Sequence, residues 1–84
     1  MKNDLIDILE LPKDVIKGIP VISIYGRNFI LIDNHRGISE YTENTLVILI
    51  KDGKIHVSGS SLEIKEFTKD HISVKGIISS VEFM

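Results

Sequence analysis

Cysteine and tryptophan are absent from this chain, and proline occurs only twice, at Pro12 and Pro20. Without a thiol there is no disulfide, no thiolate metal site and no cysteine nucleophile. The aromatics are two Tyr and three Phe, too few and too scattered to form a platform on which bases stack. Neither sign of charge is in large excess. Ten Lys and Arg against twelve Asp and Glu leave a formal net charge of −2, which argues against a protein that holds nucleic acid by neutralising phosphates. No apolar run approaches the roughly 20 residues that a helical membrane span requires. The start, Met1-Lys2-Asn3-Asp4-Leu5-Ile6-Asp7, breaks its apolar residues with acids and does not read as a secretory signal. The expectation is a chain that stays in the compartment where it is made, with no transmembrane segment.

What is present is a hydrophobic fraction of 43% in 84 residues, enough for one folded domain with a modest core and a thin stability margin. Two regions differ in period. Leu5, Ile6, Ile8 and Leu9, set among Asp4, Asp7 and Glu10, match one apolar stripe of a short N-terminal helix, with Asn3 or Asp4 as its cap. Pro12 ends or kinks that helix, and Gly18 closes the segment. From Pro20 the period is two. Val21–Ile24, Phe29–Ile32, Ile38–Tyr41 and Thr45–Ile50 read as strands, followed by alternating pairs at Ile55/Val57, Leu62/Ile64 and Ile72/Val74 and a last run through Ile78, Val81 and Phe83. Asp52-Gly53 and Lys69-Asp70 are turn signals between them. The expected fold is mainly β: an antiparallel meander of about eight short strands, as a small sandwich, roll or barrel, with a short N-terminal helix. Residues 1–18 form the helical segment and 19–84 the β-meander domain, together one folding unit.

Two patterns stand out within the β region. Ile22-x-Ile24-x-Gly26, Ile55-x-Val57-x-Gly59 and Ile72-x-Val74-x-Gly76 share one form, a half-buried strand closed by a glycine, at unequal spacing. Leu46-Val47-Ile48-Leu49-Ile50 is apolar on both faces and needs cover on both, from the core on one side and from the N-terminal helix or a second subunit on the other.

The chemistry-bearing residues are sparse. The three histidines, His35, His56 and His71, have no metal-ligand spacing and no cysteine beside them, so no metal site is expected. The glycines lie singly, so no phosphate-binding loop and no cofactor is expected. Asp33, His35 and one of Ser23, Ser39 or Ser58 would supply the residue types of a hydrolytic triad, but nothing in the spacing supports one. Asp33-Asn34-His35-Arg36-Gly37 reads instead as a turn, in which Asn34 tolerates left-handed backbone and Gly37 takes a positive φ. No catalytic residue is assigned, and the chain is not expected to be an enzyme.

The order of motifs says more than any one of them. Glu10-Leu11-Pro12-Lys13-Asp14-Val15 precedes Pro20; then come Asn34-His35-Arg36-Gly37-Ile38, Tyr41, Asp52-Gly53, Val57-Ser58-Gly59 and Leu62-Glu63-Ile64; and Ile72-Ser73-Val74-Lys75-Gly76, Ile78, Val81 and Phe83 close the series. From about Leu9 to Phe83 this resembles the YabP/YqfC family of sporulation proteins, in its YqfC-like branch, with Asp33 where a glutamate is expected. The resemblance implies a small non-enzymatic structural or adaptor protein of an endospore-forming bacterium, made in the mother cell. It implies a membrane-anchored sporulation protein as partner, and a cytoplasmic location peripheral to the forespore membrane. Self-association is a further expectation. Asn34, His35, Arg36 and Tyr41 are the candidate partner contacts. A small-ligand or membrane-surface binding module is the alternative, with Lys13 and Lys17 one helical turn apart as the contact to anionic lipid.

Overall fold

The computed structural model describes residues 18–84. Six antiparallel strands make one open sheet: β1 (Val21–Tyr25), β2 (Phe29–Asp33), β3 (Gly37–Tyr41), β4 (Thr45–Ile50), β5 (Gly53–Phe67) and β6 (His71–Phe83). Their spatial order is β1-β2-β6-β5-β4-β3. The mainly β, antiparallel expectation therefore holds, but the single open sheet of the described residues is neither a two-sheet sandwich nor a closed barrel, and two further corrections apply. First, the count is six, because the runs expected as four short strands are two long ones. Ile55/Val57 and Leu62/Ile64 both lie in β5, and Ile72/Val74 and Ile78–Phe83 both lie in β6. Second, only β3 to β6 follow one another as a meander. The β1–β2 hairpin docks on β6, pairing Ile30 with Val74 and Ile32 with Ile72. The expected N-terminal helix, with Lys13 and Lys17, lies outside the described residues.

The long strands stay continuous because they bend. The β5–β6 register shifts between Ser58 and Gly59, between Ser60 and Glu63, and between Ile64 and Glu66. Small residues, Gly59-Ser60-Ser61, occupy the first two breaks, and Ser61 takes a left-handed φ of 52°. A Cβ on Gly59 would run into the carbonyl oxygen of Ile77, and one on Gly76 would lie 2.8 Å from the Ser61 carbonyl oxygen. Of the three Ile-x-Ile/Val-x-Gly segments, only the first is closed by its glycine at a hairpin turn; Gly59 and Gly76 instead let two strands cross closely at a bend.

The bend divides the sheet into two halves. β1, β2, the start of β6 and the end of β5 form one; β3, β4, the start of β5 and the end of β6 form the other. Period-two alternation gives each half one apolar face. Ile30, Ile32, Ile72 and Val74 come from the first, Leu46, Ile48, Ile55 and Val57 from the second, and all belong to one buried cluster with Leu62 and Ile78 from the bend. A single core shared by both halves means that the sheet curls over on itself. In β4 the alternation survives: Leu46 and Ile48 are fully buried, while Val47 and Leu49 on the other face are half-buried.

Two hairpin tips, those of β1–β2 and β3–β4, plug the bend, where ladder hydrogen bonds are interrupted. Ile78 and Gly76 donate their N–H groups to the carbonyls of Arg27 and Asn28, in the β1–β2 turn. Gly59 and Leu62 donate theirs to Asn44 and Glu43, in the β3–β4 turn. Backbone groups that the bulges would leave orphaned are thereby paired.

Candidate partner-contact site

The Asn34–Gly37 segment joins β2 to β3 and so crosses from one half of the sheet to the other. Asn34 has a φ of 64° and Gly37 a φ of 123°, the left-handed backbone expected of an Asn and a Gly in this turn. Two backbone bonds and one side-chain bond hold the crossing. The Asn34 N–H donates to the carbonyl of Asp70 at 2.7 Å, the Arg36 N–H to that of Leu49 at 2.7 Å, and the Asn34 side-chain amide to that of Ile19 at 2.7 Å. The turn is thus tied to the chain before β1, to β4 and to the β5–β6 connection.

His35 is the centre of this arrangement. Its Nε2 lies 2.7 Å from the carbonyl oxygen of Thr68, which can only accept, so Nε2 bears the proton. The Gly37 N–H donates to Nδ1 at 2.9 Å. This is the neutral Nε2–H tautomer with both ring nitrogens engaged by backbone. The ring also packs on Phe67, with centroids 5.3 Å apart at 48°. His35 therefore fastens the β2–β3 turn to the end of β5, and neither Asp33 nor a serine hydroxyl bonds its ring.

The other histidines have partners of their own. His71 Nε2 lies 2.7 Å from Glu66 Oε1, and Nδ1 lies 3.4 Å from the Thr68 hydroxyl. His56 Nε2 lies 3.5 Å from the Ser58 hydroxyl on the outer face of β5. Among the described residues no three His, Asp or Glu side chains gather as a metal-binding group.

Arg36 differs from its neighbours. Its backbone is fixed, but its side chain is exposed and forms no ion pair among the described residues. With His35, Gly37, Phe67, Thr68 and Lys69 it lines an open depression of about 480 Å³. Arg36 and Lys69 give this depression two cationic groups, and Phe67, 57% exposed, gives it an apolar wall. Tyr41 stands apart, at the end of β3, where its hydroxyl receives the Ile64 N–H at 3.2 Å and lies 3.4 Å from the Leu62 carbonyl oxygen. It seals β3 against the interrupted part of β5.

The four candidate residues thus divide into three whose side chains bond backbone groups and brace the fold, Asn34, His35 and Tyr41, and one, Arg36, whose exposed side chain makes no such bond among the described residues. Sequence reasoning missed Phe67, Thr68 and Lys69. The turn at Lys69-Asp70 is legible, but its position against His35 depends on the long β5 strand.

The turn and its neighbours lie wholly inside the stretch that matches a family model. Residues 19–84 match the YabP family. The chain belongs to the YabP family. It is also 36% identical to the uncharacterized protein YqfC of Bacillus subtilis (strain 168), over 100% of this chain and 90% of that one. No solved structure matches it. For a YabP-family chain with a full-length relative of this kind, the resemblance drawn from the ordered motifs holds.

Proposed function

We propose that this YabP-family protein is a non-enzymatic adaptor of endospore formation, acting in the mother cell and contacting a membrane-anchored sporulation protein at the forespore. The contact surface is the depression between the β2–β3 and β5–β6 turns. The supporting observation is the division of labour at the Asn34–Gly37 turn. Both nitrogens of His35 are spent on backbone, so the ring serves as a brace, and the brace presents Arg36 on a fixed backbone beside Phe67 and Lys69. A guanidinium held next to an exposed aromatic is the composition of a protein-contact site. Two cations on its rim suit a partner segment bearing carboxylates.

Pull-down from sporulating cells tests this reading. Arg36→Ala removes a side chain that has no ion pair among the described residues, and should leave the circular dichroism spectrum unchanged. It is expected to reduce recovery of the membrane-anchored partner and to lower spore yield. Full recovery and normal spore yield for both Arg36→Ala and Phe67→Ala would remove the depression as the contact site.

A further inference from the structure

Among the described residues the sheet has two edges, β3 and β1, and they are built differently. On β3 the register breaks between Ile38 and Glu40, Glu40 places a charge on the strand, and the Tyr41 hydroxyl is bonded to β5. Charges and bulges of this kind keep an edge from pairing with another chain. β1 has none of them. Its residues are Val-Ile-Ser-Ile-Tyr, its ladder with β2 runs without a shift from Val21 to Tyr25, and Val21, Ile24 and Tyr25 are 45%, 52% and 58% exposed.

The sequence of this edge is symmetric in character about Ser23, with two apolar residues on either side. If two copies lie antiparallel with a dyad at Ser23, Ser23 faces Ser23, Ile22 of each copy faces Ile24 of the other, and Val21 faces Tyr25. No charge meets a like charge. Ile22 and Ile24 pair with Ile32 and Ile30 of β2, so they lie on the core side of the sheet, while Val21 and Tyr25 lie on the opposite side with Asp33 and Phe29. In this register every apolar side chain of the edge meets an apolar side chain on its own face; a one-residue slip would set isoleucine against serine. The ladder is also bounded. Pro20 has no N–H to continue it at one end, and Gly26, with a φ of 61°, turns the chain away at the other.

We propose that β1 is a self-pairing edge, through which a second copy of this chain joins antiparallel along Val21–Tyr25, with its dyad at Ser23, to make one continuous sheet. This stands on strand geometry and does not depend on the adaptor reading. A five-residue ladder is a small interface, so the dimer is concentration-dependent.

The absence of cysteine makes the test direct. In a Ser23→Cys variant the only two thiols would face each other across the dyad, with Cα atoms about 4.5–5.5 Å apart, a separation that suits a disulfide. Mild oxidation should convert Ser23→Cys to a covalent dimer much faster than Lys65→Cys, an exposed position on β5. Light scattering on the wild-type protein should show the mass rising from 9.5 kDa towards twice that value as the concentration approaches millimolar. Ser23→Lys, which sets two ammonium groups against each other, should remain monomeric with an unchanged circular dichroism spectrum. Ile24→Lys, at a side chain already half exposed, substitutes for it if Ser23→Lys does not fold. A wild-type monomer at every concentration, equal cross-linking rates for the two cysteine variants, or a dimer that survives the folded lysine variant would each overturn the proposal.

Discussion

Asn34 and His35 sit next to each other and are legible to different degrees. Asn34 adopts left-handed backbone, which its short side chain tolerates, and the neighbouring Gly37 does the same. Both follow from local stereochemistry, and the residues alone indicate a turn. His35 bonds Thr68, 33 positions away along the chain, and no local pattern indicates that. An imidazole beside a carboxylate and a guanidinium looks like chemistry until its two nitrogens are found on backbone groups. His35→Ala removes both bonds and the contact with Phe67, and should cost about 2 kcal/mol. Urea unfolding should show a lower midpoint with the slope unchanged. Arg36→Ala, one position on, should stay within about 0.5 kcal/mol of wild type in the same measurement. A His35→Ala protein as stable as wild type would mean that the ring does not brace the turn.

At the scale of elements, β4 was fully readable and β5 and β6 were not. Thr45–Ile50 has a continuous apolar run ending at a turn, and the strand has those bounds. In β5 and β6 the glycines look like stops. Local reading cannot separate a glycine that ends a strand from one that lets two strands cross, because the reason for the second lies on the other strand. Gly26 and Gly59 make the difference measurable. Gly26 has a φ of 61° and no atom within 4 Å of a Cβ position, so Gly26→Ala should cost about 1 kcal/mol of backbone strain. Gly59 has ordinary φ but meets the Ile77 carbonyl oxygen, so Gly59→Ala must push β5 from β6 and should cost about 3 kcal/mol. Thermal unfolding of the two variants is expected to rank them in that order; the reverse ranking would mean that the close crossing is relieved by a small backbone shift.

For the molecule as a whole, the decisive contact is β2 with β6. The β3–β4, β4–β5 and β5–β6 pairings join strands adjacent in sequence, whereas Phe29 pairs with Lys75. Non-local pairings pay their loop-closure entropy before any contact rewards it. The β3–β6 meander should therefore form first and the β1–β2 hairpin dock last. Stopped-flow kinetics should show Val57→Ala mainly slowing folding and Ile32→Val mainly speeding unfolding. Equal partition of both effects would remove this order of events. The residues by themselves determined the β class, the position of most strands, the inward-facing isoleucines and valines, the turn chemistry at Asn34 and Gly37, and membership of the YabP family, because each depends on neighbours along the chain or on their linear order. Only the tertiary structure decided that β5 and β6 run through their glycines, that the first hairpin closes on the last strand, that His35 is a brace and Arg36 is presented, and that among the described residues one sheet edge carries a bulge and a charge while the other carries neither. Those features depend on atoms brought together from distant parts of the chain, and a period-two pattern states which face a residue takes without stating which strand it will meet.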